Sequence, residues 1–393
     1  MSYAIDLSRE RAAGYDVETL ARAKVLIVGA GALGQNLTSV LALSQVGELS
    51  LVDFDEFEPS NASRSPFFPT PGECARFGNH KAAVVANKLR AQTFWSDRPR
   101  IRYACTHVQA LGDAPFREVS AVVSAVDDDG SREYTSALCR RYGVPLVEGG
   151  FGGQHASYAV FRNGPEDPCW RCGVSEVLRN VRFSCDTYGK QAQALGAIPA
   201  TQSIASALGG FMAEAVIQVL HQNADVLNRR VYFSVRTGKS IVGGLTANQH
   251  CPALHKPLPA PPPLRLRTPG SGLARDLLSE LAAHVSEPCI ELPSPFLSFA
   301  PCQQCEQTLR IGKPLYLINS QPRCRGHGGL WHHQPGAEPL IITLLGRETH
   351  VLLDSTCASL GLAPGALFKV YDADSSVTLA ELPEDNGIFV KVQ

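Results

Sequence analysis

An open, doubly wound α/β sheet of Rossmann type, followed by a smaller second domain, is the fold class the sequence predicts. Three observations carry that prediction. From Lys24 to about His255, short β-rich runs alternate with longer amphipathic stretches. The run Gly29-x-Gly31-x-x-Gly34 sits at the first strand-to-helix turn. The proline-rich stretch "KPLPAPPPLRLRTPG" (256–270) then ends the pattern, because it can hold neither a regular helix nor a central strand.

The elements follow in order. "KVLIVG" (24–29) reads as a buried parallel strand, and Leu33, Leu37, Val40 and Leu41 then fall on one helical face. "ELSLVD" (48–53) is a second strand, "HKAAVVANKLRA" (80–91) a helix and "VSAVVSAVD" (119–127) a third strand. "SREYTSALCRRYG" (131–143) is a helix closed by glycine, and "VPLVEGG" (144–150) a strand. "HASYAVFR" (155–162), "RVYFSV" (230–235) and "KSIVGG" (239–244) read as antiparallel additions, with the longest helix from Ala200 to His221 between them. The domains expected are 1–256, a linker at 257–270, and 271–393, the last with a helix at Leu273–His284 and strands "PLIITLLG" and "ALFKVYD".

The totals bound the function. A chain of 393 residues accommodates about two domains, and its formal charge of -1 draws it in bulk to neither nucleic acid nor anionic membrane. The polar N-terminus "MSYAIDLSRERAAGYD" has no apolar core, and no stretch approaches the ~20 apolar residues of a membrane span. A cytoplasmic protein is the expectation, with no nucleic-acid or membrane partner.

The glycines alone suit NAD, FAD or ATP, and Asp53 could hold the ribose of any of them. An NAD-dependent oxidoreductase is therefore one reading, and a non-catalytic scaffold another. The residues that follow are more telling. Asn61, Arg64, Lys81 and Asp127 all fall near predicted strand ends. Cations there can clamp the charge that builds at an α-phosphate during nucleotidyl transfer, and a carboxylate can hold Mg2+. For Asp127 a helix N-cap is the competing role.

In this ordered combination, "RAKVLIVGAGALGQN", "LSLVDFDEFEPSNASR", "GNHKAAVVANKL" and "SAVDDDGSRE", the chain resembles the ubiquitin-activating-enzyme superfamily of ThiF/MoeB/HesA-like adenylyltransferases, over roughly Arg9 to His255. The resemblance implies a ThiF-type adenylation domain binding ATP and Mg2+. In it Gly29, Gly31 and Gly34 line the nucleotide, Asp53 holds the ribose, Asn61, Arg64 and Lys81 meet the phosphates, and Asp127 meets the magnesium. It further implies a homodimer in which Arg9 or Arg11 reaches the other subunit's site. The reaction implied is attack of a C-terminal glycine carboxylate of a ubiquitin-like protein on ATP, giving an acyl-adenylate. A sulfur-carrier or peptide adenylyltransferase is the alternative within the superfamily.

Twelve cysteines without a secretory signal point to metal or redox chemistry rather than disulfides. Cys169 and Cys172 in "DPCWRCG", with Cys251 and His255 in "HCPALH", suit a tetrahedral structural Zn2+. Cys302, Cys305, Cys324 and His327 have zinc-ribbon spacing, C-x2-C-x18-C-x2-H, for which a redox dithiol or plain reduced thiols are the alternatives. Cys74, Cys105, Cys139, Cys289 and Cys357 have no partner spacing and read mostly as small buried hydrophobes. Cys185, in "VRFSCDTYGKQAQALGAIPATQ", lies near Arg182 and Lys190, cations that can raise its thiolate fraction. The segment resembles the crossover of bacterial ubiquitin-like conjugation enzymes that carry a zinc-ribbon extension. That likeness implies that Cys185 takes the acyl group as a thioester and passes it to a conjugating enzyme, as in antiviral operons. An ordinary loop cysteine is the other reading.

Overall fold

The computed structural model describes residues 5–173, 199–251, 262–301, 308–318, 340–346, 348–384 and 388–392. The chain divides into two units, residues 1–108 with 115–258 and 387–393, and residues 109–114 with 259–386.

The first unit opens with two short helices, α1 (Ser8–Ala12) and α2 (Val17–Arg22). Alternation of strand and helix then runs through β1 (Lys24–Val28), α3 (Ala32–Leu43), β2 (Glu48–Val52), α4 (Pro71–Phe77), α5 (Lys81–Gln92) and β3 (Arg100–Ala104). After a four-residue turn, α6 (Ala114–Arg117), come β4 (Ala121–Ser124), α7 (Asp129–Tyr142), β5 (Leu146–Gly152) and β6 (His155–Phe161). The long α8 (Gln202–Leu220), β7 (Arg229–Ser234) and β8 (Ser240–Gly244) follow.

These strands build one sheet in the order β15-β3-β2-β1-β4-β5-β6-β7-β8, where β15 is Val390–Lys391. From β3 to β5 every neighbour is parallel. Beyond β5 the pairs are antiparallel, as expected from the sequence. A parallel sheet buried on both faces needs continuous apolar strands. Leu26, Ile27, Leu49 and Leu51 accordingly have no accessible surface. The chain leaves β1 toward β2 on one side and β4 joins β1 on the other, so the topological switch point lies between β1 and β4.

Of the apolar face expected on the first helix, Leu33, Leu37 and Leu41 are buried, whereas Val40 points outward. Strand β3, like α4 and α6, is an element missed by reading the sequence. Its "RIRYA" alternates charge with apolar groups because Arg102 reaches the buried Glu48 beside it, at 2.6 Å. Helix α8 packs against α3 and β5. By length and composition it could cross a membrane, with 19 residues and mean hydropathy 1.5. That corrects the expectation that no stretch approaches such a span, but 61% of its apolar window is buried inside the protein.

The second unit is a sheet in the order β11-β10-β13-β14-β9, with β12 also on β10. Its strands are β9 (Leu264–Arg265), β10 (Cys289–Pro301), β11 (Thr308–Pro314), β12 (Leu340–Leu345), β13 (Leu367–Tyr371) and β14 (Val377–Glu381). β9 lies inside the stretch expected to be linker. Helix α9 (Ala274–Leu281) presents Ala274, Leu277, Leu278 and Leu281 to a core containing Ile290, Leu345, Phe368 and Val370. Residues 109–114 join this unit through Asp113, whose Oδ1 accepts from the Leu367 amide at 3.1 Å.

Candidate active site

A cleft of about 770 Å³ opens where β1, β2 and β4 end, at the switch point. It brings together seven residues singled out in the sequence, namely Gly29, Gly31, Asp53, Asn61, Arg64, Lys81 and Asp127. The glycine loop forms its floor. Gly29 has φ +101, and a Cβ there would lie 2.5 Å from the Ala125 carbonyl oxygen, so only glycine fits. Gly34 is not among the lining residues. A Cβ on it would meet the Gly29 oxygen at 2.0 Å, so its smallness lets α3 seat on the loop. The first turn of α3, at Ala32 and Leu33, faces the cleft and offers backbone N–H groups to an anion.

On the β2 side the polar groups are tied together. Asp53 Oδ2 accepts from the Ala30 amide at 2.6 Å and Oδ1 from the Asp55 amide at 2.8 Å. Burial raises the Asp53 carboxyl to about 6, against the opposing pull of the Lys81 ammonium and of those two amides. Lys81 opens α5, and its Nζ lies 2.8 Å from Asp55 Oδ2. Asn61 is buried in a short 3-10 turn, Pro59–Arg64, where its Oδ1 accepts from the Glu58 amide at 3.1 Å. Arg64 donates to the Ser60 carbonyl at 2.6 Å and makes no ion pair with a described residue.

On the β4 side the arrangement is looser. The helix N-cap that competed for Asp127 belongs instead to Asp128, which accepts from the Ser131 amide at 2.7 Å. Asp127 lines the cleft, is exposed, and makes no hydrogen bond to a described residue. Sequence reasoning leaves Arg132, which also lines the cleft, without a role. It forms an ion pair with the buried Glu148 of β5 and donates to the Val126 carbonyl. Asp55 likewise has no role assigned from the sequence, though it stands in "LSLVDFDEFEPSNASR". The only available signal was position, since each lies two to five residues from an assigned carboxylate.

The cleft lining holds the carboxylates Asp53, Asp55, Glu56, Glu58, Asp127 and Asp128 against the cations Arg64, Lys81 and Arg132. Two of those cations already have carboxylate partners. A polyphosphate would enter such a site only with a divalent cation, and the uncommitted Asp127 suits one. Arg9 and Arg11 lie exposed on α1 and do not line the cleft of their own chain; Arg11 pairs with Glu18 at 2.8 Å.

A second group lies apart from the cleft in the same unit. Cys169, Cys172 and Cys251 converge, with Sγ–Sγ distances of 3.8 Å from Cys169 to Cys172 and 3.7 Å from Cys169 to Cys251. Tetrahedral zinc with Zn–S bonds of about 2.3 Å requires sulfur–sulfur edges of about 3.8 Å. The Cys169 and Asn248 amides both donate to Cys172 Sγ at 3.4 Å. The donor set thus fits three corners of a zinc site. Cys185, His255, Cys302, Cys305, Cys324 and His327 lie outside the described residues.

The model of the ThiF family matches residues 5–253. Human ubiquitin-like modifier-activating enzyme 7 is 35% identical over 151 residues, covering 37% of this chain and 14% of that protein. The molybdopterin-synthase adenylyltransferase of Escherichia coli K12 is 31% identical over 192 residues, covering 48% and 72%. The SAMP-activating enzyme E1 of Haloferax volcanii is 28% identical over 218 residues, covering 54% and 73%. Among solved structures, E. coli MccB with ATP has a TM-score of 0.49 at 19% identity, over 60% of this chain and 68% of that one.

Proposed function

Because the chain belongs to the ThiF family, we propose that it is an ATP-dependent adenylyltransferase acting on the C-terminal glycine carboxylate of a ubiquitin-like protein. The observation that carries this reading is the meeting of Asn61, Arg64, Lys81 and Asp127 in one cleft with Gly29 and Asp53.

In the reaction we propose, Asp53 accepts from the ribose hydroxyls, and the α3 N-terminus, Asn61, Arg64 and Lys81 face the phosphates. Asp127 holds Mg2+, which screens phosphate charge when bound. The incoming carboxylate oxygen attacks the α-phosphorus, the bond to the β-phosphate oxygen breaks, and pyrophosphate leaves with that electron pair. The protein needs no nucleophile for this step; its contribution is positioning and charge neutralisation. The Cys185 thiolate then attacks the acyl carbon and AMP leaves, giving a thioester that passes to a conjugating enzyme. In a homodimer, Arg9 or Arg11 of each subunit serves the partner's cleft. A cytoplasmic role in bacterial antiviral conjugation is the setting this reading favours.

A second reading is activation of a sulfur carrier or peptide without an obligatory thioester. It is favoured by coverage, since the chain spans 72% of the E. coli molybdopterin-synthase adenylyltransferase but 14% of the human activating enzyme. Exchange of labelled pyrophosphate into ATP, with a carrier protein ending in Gly-Gly, tests both. Cys185→Ala keeps exchange and loses a thiol-labile adduct on the first reading; an adduct that persists favours the second. Tight NADH binding without exchange would overturn both in favour of an oxidoreductase.

Zinc completes the proposal as a structural element, held by Cys169, Cys172, Cys251 and His255, and by Cys302, Cys305, Cys324 and His327 in a ribbon within 271–393. Metal analysis of the purified chain is expected to give about two zinc ions. A value near zero would remove both sites.

A further inference from the structure

We propose that Asp55 is a positioning residue for adenylyl transfer, holding the Lys81 ammonium at the phosphate end of the cleft in register with the ribose-binding Asp53. The inference rests on the adenylation reading above and adds to it a residue that binds no substrate itself.

Four contacts support it. Asp55 Oδ2 receives Lys81 Nζ at 2.8 Å. The Lys81 amide donates to the Asp55 carbonyl at 2.9 Å, so the same residue fixes both the start of α5 and the far end of its first side chain. The Asp55 amide donates to Asp53 Oδ1 at 2.8 Å, while Asp53 Oδ2 takes the Ala30 amide of the glycine loop at 2.6 Å. Around them Glu56 bridges to His80, and Phe57 and Asn79 exchange hydrogen bonds of 2.9 and 2.6 Å. The glycine loop, the ribose carboxylate and the phosphate-facing lysine therefore form one connected frame.

A lysine stem has four rotors and would otherwise sample many positions. An ammonium carries three N–H donors, and spending one on Asp55 aims the other two. The pair is lopsided in exposure, with the Lys81 side chain 14% exposed and that of Asp55 48% exposed. An ion pair with one partner so open to water contributes little to stability. Its effect belongs in geometry, which separates this role from a merely structural one.

The test uses the full chain, ATP, labelled pyrophosphate and a carrier protein ending in Gly-Gly. Asp55→Asn is expected to lower exchange turnover by roughly 10-fold to 100-fold, as misplacement of a catalytic group does. The KM for ATP and the melting temperature should stay near those of the unaltered chain. Asp55→Glu should recover part of the loss and serves as the second variant if Asp55→Asn does not fold. In a Lys81→Ala background, Asp55→Asn should change turnover by less than about twofold, because a residue acting through Lys81 has nothing left to position. Unchanged turnover in Asp55→Asn, or the same proportional loss with and without Lys81, overturns the inference alone. No exchange by the unaltered chain removes the adenylation reading and this inference with it.

Discussion

The two banks of the cleft are built on opposite principles. On the β2 bank, Asp53, Asp55 and Lys81 are bonded to one another or to backbone. On the β4 bank, Asp127 is exposed and bonded to no described residue, while its neighbour Asp128 is spent on capping α7. On the proposed reading, the difference teaches how one site would serve a polyanion. The first bank carries fixed order, which costs nothing at the moment of reaction. The second, on the same reading, keeps a carboxylate in water for a hydrated cation that sheds its waters reluctantly.

The largest effect should come from breaking the ordered bank. Lys81→Ala is expected to lower exchange turnover by about 10²-fold to 10³-fold, the usual loss when a transition-state donor is removed. A fall in turnover below about threefold in steady-state kinetics would mean that this bank does not meet the transferring phosphate. A smaller and different effect should follow on the loose bank. Asp127→Asn is expected to raise the magnesium concentration for half-maximal exchange by roughly 10-fold to 100-fold, the range seen when metal sites lose a supporting group. Titration with MgCl2 reads this directly, and an unchanged midpoint would make the two banks alike.

The smallest effect is a pH dependence that sharpens the contrast. Asp53 is raised to about 6 by burial, above the ordinary value of about 3.9 of an unfolded chain. The native state therefore holds this proton to a higher pH than the unfolded chain. The resulting stabilisation is full below about 4 and lost as pH rises through about 6. On the proposed reading, ribose binding by Asp53 needs the opposite, ionised form, which faces Lys81 and Asp55. ATP affinity is thus expected to fall by up to about tenfold per pH unit below 6. Asp53→Asn should bind ATP more weakly and show less of that slope in calorimetric titrations from pH 7 to pH 5. An equal slope in both proteins would place the titration on the nucleotide.

How much of this was legible depended on whether a residue's partner lies nearby in sequence. The parallel strands β1, β2, β4 and β5 announce themselves, because burial on both faces demands largely apolar runs, even with the buried Glu48 and Glu148 among them. Gly29, Asp53 and Lys81 follow from their offsets along that pattern. Strand β3 stayed hidden because its outward Arg102 answers Glu48, a charge that only the folded sheet brings beside it. Arg132, on α7, stayed hidden for the same reason, since its partner Glu148 lies on β5. The helix cap expected of Asp127 falls on Asp128, one residue on, a difference finer than periodicity resolves. Gly34, grouped with the nucleotide glycines, acts instead through the closeness of α3 to the loop.

The return of the chain to its first unit has a consequence for anyone who would dissect the protein. Strand β15 lies antiparallel on β3, with the Val392 amide donating to the Ile101 carbonyl at 3.0 Å, and Phe389 lies beneath the Arg102 guanidinium. The second unit is thus spliced into the first rather than appended to it. A fragment ending near residue 258 would bare the β3 edge, a ready template for pairing with other chains. A fragment of 259–386 would leave Asp113, and its bond to Leu367, behind. Clean halves call for rejoined ends rather than a single cut, with 387–393 fused to the first piece and 109–114 carried on the second.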